Sequence, residues 1–265
     1  MNPIDEKNKN SHYIEFWENE YLNQIEYLLQ MDMKKMFHGF ATKEKIRDDW
    51  EEFLGKETSD FATGSERIFY WLFNQFGVPN SSPIGSDMFF ETYNAFVHID
   101  IKTVTLSNIG DFKRNIFIGD NQNSYSGNIN IRGRESRKYK GNLPYFYTIK
   151  QNGVEIGKKV CLTYFIVILY EEDMLEIETI LILSMPNGAL SDVYGDDILA
   201  AGKNKGKIRY NYLKAESFKL LDDAPSRIRV LYWNQHMSEK IKDDLSSLEN
   251  IYLKFAYFKE DNYIK

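Results

Sequence analysis

The chain has 265 residues, 43% of them hydrophobic and 27% charged, a balance that suits a globular core and excludes a disordered or low-complexity polymer. Its single cysteine, Cys161, rules out an intrachain disulfide and any cysteine-rich zinc cluster, and fits a reducing cytosol. The formal net charge of −6, taken alone, argues against a nucleic-acid partner.

In chain order, the N-terminal third reads as helical. Ile14, Trp17, Tyr21, Ile25, Leu28 and Met36 recur at the spacing of one helix face, with Gly39 as its stop. Thr42 caps a second expected helix with Ile46, Trp50, Phe53 and Leu54 on its apolar face. A third is expected from near Thr63, with Ile68, Phe69, Leu72, Phe73 and Phe76 on one face and Gly77 and Pro79 at its end. The pattern then switches. Residues 87–105 read as two strands around Thr92-Tyr93-Asn94, and residues 98–104 alternate with period two. Residues 160–170 (VCLTYFIVILY) and 177–185 (IETILILSM) are apolar runs suited to central strands covered on both faces, and residues 227–233 (RIRVLYW) read as one more. Residues 120–142 read as an extended loop or irregular hairpin, residues 191–206 as a polar loop, and residues 238–248 as a closing helix. One α/β domain spanning residues 1–265 is the economical organisation, with a helical N-terminal region over about residues 1–60. The polar start MNPIDEKNKN has no signal-peptide pattern, and the longest apolar run is too short for a membrane helix. A soluble, cytoplasmic protein without a membrane partner is therefore expected.

Charge is unevenly spread. Residues 111–160 hold ten Lys/Arg against four Asp/Glu, and residues 201–219 hold six against one. Two basic segments on an acidic body are what a selective polyanion site looks like; the bland reading is two solvated Lys-rich loops.

The segment with most chemistry is Pro83-Ile-Gly-Ser-Asp87 followed by His98-Ile-Asp100-Ile-Lys102. Side chains alternate along a strand, so Asp100 and Lys102 share a face. With Tyr93 and Asn94 as turn residues, cross-strand partners sum to 187, which sets Asp87 opposite Asp100. Two like charges facing each other destabilise a sheet, and a divalent cation removes the repulsion. Paired carboxylates suit Mg²⁺, which keeps several waters and takes further ligands from phosphate. A lysine beside such an ion can orient or deprotonate a water and stabilise charge on a phosphorane-like transition state.

Asp87, thirteen residues, then Asp100-Ile-Lys102 resembles the signature of the PD-(D/E)xK nucleases, with the proline four residues ahead of Asp87 rather than adjacent. The order of helices, acidic hairpin and further strands also fits, and a chain of this size looks most like a type II restriction endonuclease. The resemblance implies a restriction-endonuclease-like α/β core, a mixed sheet flanked by helices. It implies Mg²⁺, with Mn²⁺ as a substitute, held by Asp87, Asp100 and the carbonyl of Ile101, with Lys102 catalytic. Enzymes of this kind often set an acid on the preceding helix; Glu66 is that candidate here, although Thr63-x-x-Glu66 also reads as a capping box. Glu91 shares the strand face of Asp87 and is a weaker alternative, and His98 reads as a packing or DNA-proximal residue. Double-stranded DNA is the implied partner in a bacterial cytoplasm. Arg132, Arg134, Arg137, Lys138 and Lys140 are candidate phosphate or guanine contacts, and Asn128 and Asn130 candidate adenine contacts. Lys203, Lys205, Lys207 and Arg209 form a second candidate surface. One D…DxK set per chain against two DNA strands implies a homodimer, with the helix face of Trp17, Tyr21 and Ile25 as its candidate contact. The rival readings are a repair or junction nuclease of the same fold, a non-catalytic DNA-binding protein, and a soluble α/β protein with an unrelated small-molecule function. Against the last stands the absence of a Gly-rich phosphate loop or G-x-S-x-G elbow.

Overall fold

The computed structural model describes residues 3–41, 60–73, 87–113, 115–118, 126–129, 137–140, 146–185, 199–201, 208–211 and 227–246. The expected helix over 42–54 and the ends of the third and closing helices lie outside these residues.

The centre is a mixed six-stranded sheet. Its strands are β1 (Met88–Glu91), β2 (Ala95–Thr105), β6 (Phe146–Gln151), β7 (Val154–Tyr170), β8 (Ile177–Met185) and β11 (Ile228–Trp233). The order is β1-β2-β7-β8-β11, with β6 pairing the first part of β7. β2 and β7 run parallel over eleven residue pairs, from Ala95↔Val160 to Thr105↔Tyr170, and every other pairing in this sheet is antiparallel. The apolar runs of β7 and β8 are buried on both faces, as fits central strands. β7 begins six residues before its apolar run because residues 154–159 form a hairpin with β6. The turn of that hairpin is Asn152-Gly153, both at positive φ (51° and 79°), the two-residue geometry that Asn-Gly favours.

Helices α1 (Pro3–Met31), α2 (residues 33–41) and α3 (Asp60–Leu72) cover one face. The α1–α2 stripe in the core is Ile14, Tyr21, Leu22, Ile25, Leu29, Met33, Met36 and Phe40, so Leu29 rather than Leu28 lies at its centre. It packs with Val97, Ile99, Leu162, Tyr164, Ile166, Ile180 and Ile182 of the sheet. Three expectations are corrected here. Gly39 does not stop the helix, which continues through residue 41. Instead a Cβ at Gly39 would meet the Ile68 side chain at 3.0 Å, so the glycine lets α3 approach α2. α3 starts at Asp60, three residues before Thr63, because Phe61 is buried between Phe40 and Tyr170, with ring centroids at 5.8 and 3.9 Å. Thr63 therefore sits inside the helix rather than capping it, and Glu66 lies mid-helix. Finally, Tyr21 and Ile25 belong to the core, which removes them as a dimer contact.

A smaller three-stranded sheet, in the order β3-β10-β9, joins the two long connections. Its strands are β3 (Asn115–Ile118), β9 (Leu199–Ala201) and β10 (Ile208–Asn211). β9 falls in a segment expected to be loop. β4 (Ser126–Ile129) and β5 (Arg137–Lys140) form a separate hairpin, the irregular-hairpin alternative for residues 120–142. A short helix α4 (Gly110–Lys113) follows β2, and α5 (Glu239–Asp244), capped by Ser238, closes the described chain. Among the described residues no helix is long and apolar enough to cross a membrane.

α1 is fastened to β11 and the residue before it by ion pairs. Arg227 lies 2.7 Å from Glu18 and 3.9 Å from Glu15, and Arg229 lies 3.2 Å from Glu26. The Tyr164 hydroxyl donates to the Glu18 backbone carbonyl at 2.8 Å. Burial pushes the Glu18 carboxyl up to about 7 against the opposing pull of Arg227. Removing one partner of such a pair leaves the other charge uncompensated. Arg227→Ala is therefore expected to cost about 3–5 kcal/mol of stability, read as the midpoint shift in denaturant unfolding. A loss below about 1 kcal/mol would mean that the pair does not hold α1 in place.

Candidate active site

β1 and β2 form a hairpin with the register expected from the sequence: Met88↔Ile99 through Glu91↔Phe96, with Thr92 N–H donating to the Ala95 carbonyl at 2.9 Å. The turn is Tyr93-Asn94. The same register carried one residue outward sets Asp87 opposite Asp100. The Asp87 carboxylate Oδ2 accepts the backbone N–H of Ile101 at 2.6 Å, which pins the start of β1 against the middle of β2.

Asp100 is 1% exposed. Its neighbour in parallel register is Phe165 of β7, and the Lys102 ammonium contacts its Oδ2. Lys102 Nζ also lies 5.6 Å from the centre of the Phe165 ring, within range of a cation–π contact. Burial drives the Asp100 carboxyl up to about 7; Lys102 opposes the shift, and Asp87 and Glu66 add to it by like charge. Asp87 is raised for the same first reason, burial, against the Ile101 N–H and Lys102. The lysine thus supplies one positive charge where two carboxylates meet, and it does not fully offset their desolvation. Such a site favours a hard, oxygen-seeking cation over a soft one. Among the described residues no three His, Cys, Asp or Glu side chains gather as a metal cluster. The oxygen donors on view are therefore the carboxylate pair, a set that would suit an ion that retains waters.

The other candidates divide. Glu66 is close enough for its charge to act on Asp100. Glu91 is not part of the site: it stands four residues along the strand from Asp87 and is paired with Lys159 at 2.6 Å. Lys159 in turn donates to the Thr92 carbonyl at 2.7 Å and lies over Phe96. His98 is buried beside Phe89. The Leu162 carbonyl can only accept, so Nδ1 donates at 3.2 Å; burial lowers the imidazole to about 4 and keeps it neutral. It is a packing residue. Arg132, Arg134, Asn130, Lys203, Lys205 and Lys207 lie outside the described residues. Asn128 is on β4 opposite Lys138 of β5, Arg137 and Lys140 are also on β5, and Arg209 is on β10 opposite Phe117 of β3. The pairing of β3 with β10 brings the two basic segments together, with β4 lying against β9. Sequence reasoning misses the role of the Ile101 N–H and of Phe165 under Lys102. Both depend on strand neighbours that a linear pattern does not name.

A model of the family described as type II restriction enzyme MwoI, N-terminal domain, matches residues 11–174. The chain belongs to this family. The model of the MwoI central domain matches residues 177–233. The step between the two matches falls in the turn joining β7 and β8, which pair from Thr163↔Met185 to Tyr170↔Ile177. Among solved structures the chain is similar to the tetrameric restriction endonuclease SfiI bound to cognate DNA. The TM-score is 0.58 at 16% identity, covering 84% of this chain and 85% of that one. It is also similar to the restriction endonuclease BglI bound to its DNA recognition sequence, at TM-score 0.48 and 15% identity, covering 83% and 97%. No curated protein matches. The fold is the restriction-endonuclease α/β fold, and the MwoI family assignment makes the chain a restriction endonuclease.

Asp100 carries a stability cost with a definite sign. A carboxyl raised on folding holds its proton in the folded chain after the unfolded chain has released it. Stability contributed by that proton is full below the ordinary value of 3.8 and is lost as pH rises through about 7. Asp100→Asn is expected to raise the metal-free Tm at pH 8, at about 2–4 °C per kcal/mol relieved, and to change it little at about pH 4. An equal change at both pH values would remove desolvation as the cause.

Proposed function

We propose that this chain is a Mg²⁺-dependent type II restriction endonuclease. It hydrolyses phosphodiester bonds of double-stranded DNA at a specific short site and acts as a homodimer. The observation that carries the reading is the convergence of Asp87, buried Asp100 and Lys102 on one hairpin of a chain in the MwoI family. In this reading Asp87, Asp100 and the Ile101 carbonyl hold Mg²⁺, with Mn²⁺ able to replace it. The ion, when bound, supplies Lewis acidity toward the phosphate oxygens and lowers the pKa of a ligated water.

The protein's own groups do the rest. Lys102, held at Asp100 as an ammonium, faces the scissile phosphate and orients the attacking water, whose proton passes to bulk water. It also lies close to the negative charge that grows on phosphorus-bound oxygens. Asp87 keeps its orientation through the Ile101 N–H, so the two carboxylates stay at fixed separation. Glu66, from α3, adds a third negative charge beside Asp100. Water oxygen bonds to phosphorus, the bond to the bridging oxygen breaks, and that oxygen leaves with a proton.

Duplex DNA is held by the basic segments. Arg132, Arg134, Arg137, Lys138 and Lys140 reach phosphates or guanine edges, and Asn128 and Asn130 reach adenine edges. Lys203, Lys205, Lys207 and Arg209 are the second set of DNA contacts in this reading, and the pairing of β10, which carries Arg209, with β3 supports taking the two basic segments together. The acidic remainder of the chain repels DNA elsewhere and concentrates binding here. The similar SfiI structure, which is bound to cognate DNA, supports duplex DNA as the partner.

Incubation with phage DNA and Mg²⁺ is expected to give discrete fragments whose sequenced ends share one short motif. A continuous smear, or cleavage confined to branched junctions, would replace site-specific restriction with another nuclease activity. Lys102→Ala is expected to keep duplex binding in Ca²⁺ and to lose about 10²–10³-fold in cleavage rate. Lost binding with normal turnover would make Lys102 a phosphate contact instead. Full cleavage by Asp100→Ala would sink the metal assignment.

A further inference from the structure

α1 carries a second apolar stripe. Tyr13, Phe16, Tyr27 and Met31 are 47%, 48%, 61% and 67% exposed, and together they are four of the ten large hydrophobic residues most open to water among those described. At 3.6 residues per turn they fall on one side of the helix, opposite the buried stripe of Ile14, Leu22, Ile25 and Leu29. Between the two apolar ends the same side carries Glu20, Asn23 and Gln24. The Tyr13 end is stiffened by its neighbours: Tyr13 stacks on Phe146 at 6.3 Å and meets Trp17 edge-on, and Phe16 meets Trp17 at 5.2 Å.

The stripe has a symmetry of its own. The midpoint between Tyr13 and Met31 is residue 22, that between Phe16 and Tyr27 lies between residues 21 and 22, and that between Glu20 and Gln24 is again residue 22. A two-fold axis crossing the helix beside residue 22 therefore sets Tyr13 on Met31, Phe16 on Tyr27, and Glu20 on Gln24. These are aromatic–thioether, aromatic–aromatic and carboxylate–amide pairs, each made twice. An isologous interface requires this self-complementarity.

We propose that the outward face of α1 is the homodimer interface, packing antiparallel on the α1 of a second copy of this chain with the axis beside Leu22. Charge selects that occupant. Residues 13–31 contain no Lys or Arg, so the stripe offers nothing to phosphate. Of the four glutamates in this span, Glu15, Glu18 and Glu26 are engaged by Arg227 and Arg229 on the inner side. Glu20 alone meets the partner, and it meets an amide. The polar middle fixes the register of the two helices, while the aromatic ends supply the contact area along about 27 Å of helix. The interface expected from sequence on the Trp17, Tyr21 and Ile25 face thus moves to the opposite side of the same helix.

The motive for two copies rests on the nuclease reading, with one D…DxK hairpin per chain and two strands to cut. The test needs neither DNA nor metal, so the two readings fail separately. Sedimentation of the full chain alone is expected to give a dimer. Asn23→Cys, next to the axis, is expected to form a disulfide-linked dimer under mild oxidation; the native Cys161 is buried. Tyr27→Glu, at an exposed position, is expected to keep the helical circular dichroism and to raise the dimer dissociation constant at least about 30-fold. Added to Asn23→Cys, it is also expected to abolish the cross-link through position 23. The proposal is overturned by a monomer at tens of micromolar, by a dimer indifferent to Tyr27→Glu, or by a dimer that does not cross-link through position 23. A monomer whose DNA affinity falls in Tyr27→Glu would assign the stripe to DNA instead, and equally overturns it.

Discussion

The constraint on which the rest depends is the burial of the Asp100 carboxylate in the second strand of a covered sheet. A carboxylate shielded from water by strands on either side is unfavourable unless something positive stands beside it. Lys102, two residues on and therefore on the same face, is the nearest group the strand itself can supply. It contacts Asp100, yet the carboxyl remains raised to about 7, since Asp87 and Glu66 work against the lysine. The chain keeps an electrostatic imbalance in the middle of a strand paired on both sides. Such an imbalance has no structural use, and it is the feature on which the proposed cation site rests.

Holding the imbalance there requires that the hairpin register not slip. A shift of one residue would turn Asp100 and Lys102 to the helix-covered face and bring Ile99 and Ile101 to theirs. Three sets of contacts guard against it. The Asp87 carboxylate holds the Ile101 N–H at the open end. At the turn, the Tyr21 hydroxyl bonds Thr92 Oγ1 and Asn94 Oδ1 at 2.6 and 2.7 Å, tying the hairpin to α1. Lys159 and Val160 of β7 hold the Thr92 and Asn94 carbonyls. The turn is thus fixed to α1 and β7 while the open end is closed within the hairpin itself, so the register of the two aspartates is held at both ends.

What can be read from sequence follows from how local the cause is. The hairpin register is legible, because alternation and a two-residue turn between strands are local signals. So are the apolar runs at the heart of β7 and β8. The extension of β7 escapes the pattern although Asn152-Gly153 announces it, because residues 154–159 alternate weakly and lie outside the apolar run. Gly39 reads as a stop because its reason is a distant side chain, Ile68, and not the backbone. α3 is placed late by its sequence because Phe61 is recruited by Phe40 and Tyr170, which no local pattern links to it. The acid, acid and lysine of the site are legible as residues. Their electrostatic state is not, since it depends on Phe165 and on the burial imposed by β7.

The same contrast explains how one helix faces two ways. An amphipathic pattern read from sequence gives a stripe and a remainder, and aromatic residues in the remainder are easily assigned to the stripe. In α1 the inner side is decided by partners far along the chain: Arg227 and Arg229, at β11, draw Glu18 and Glu26 inward, and Tyr164 takes the Glu18 carbonyl. Once the glutamates are committed to the sheet, the helix cannot rotate, and Tyr13, Phe16, Tyr27 and Met31 are left facing outward. The ion pairs that bury α1 against its own sheet therefore also decide which surface it offers to anything else. Because α1 also holds the turn of the acidic hairpin through Tyr21, a contact on its outer face lies one helix away from the element that carries Asp87 and Asp100.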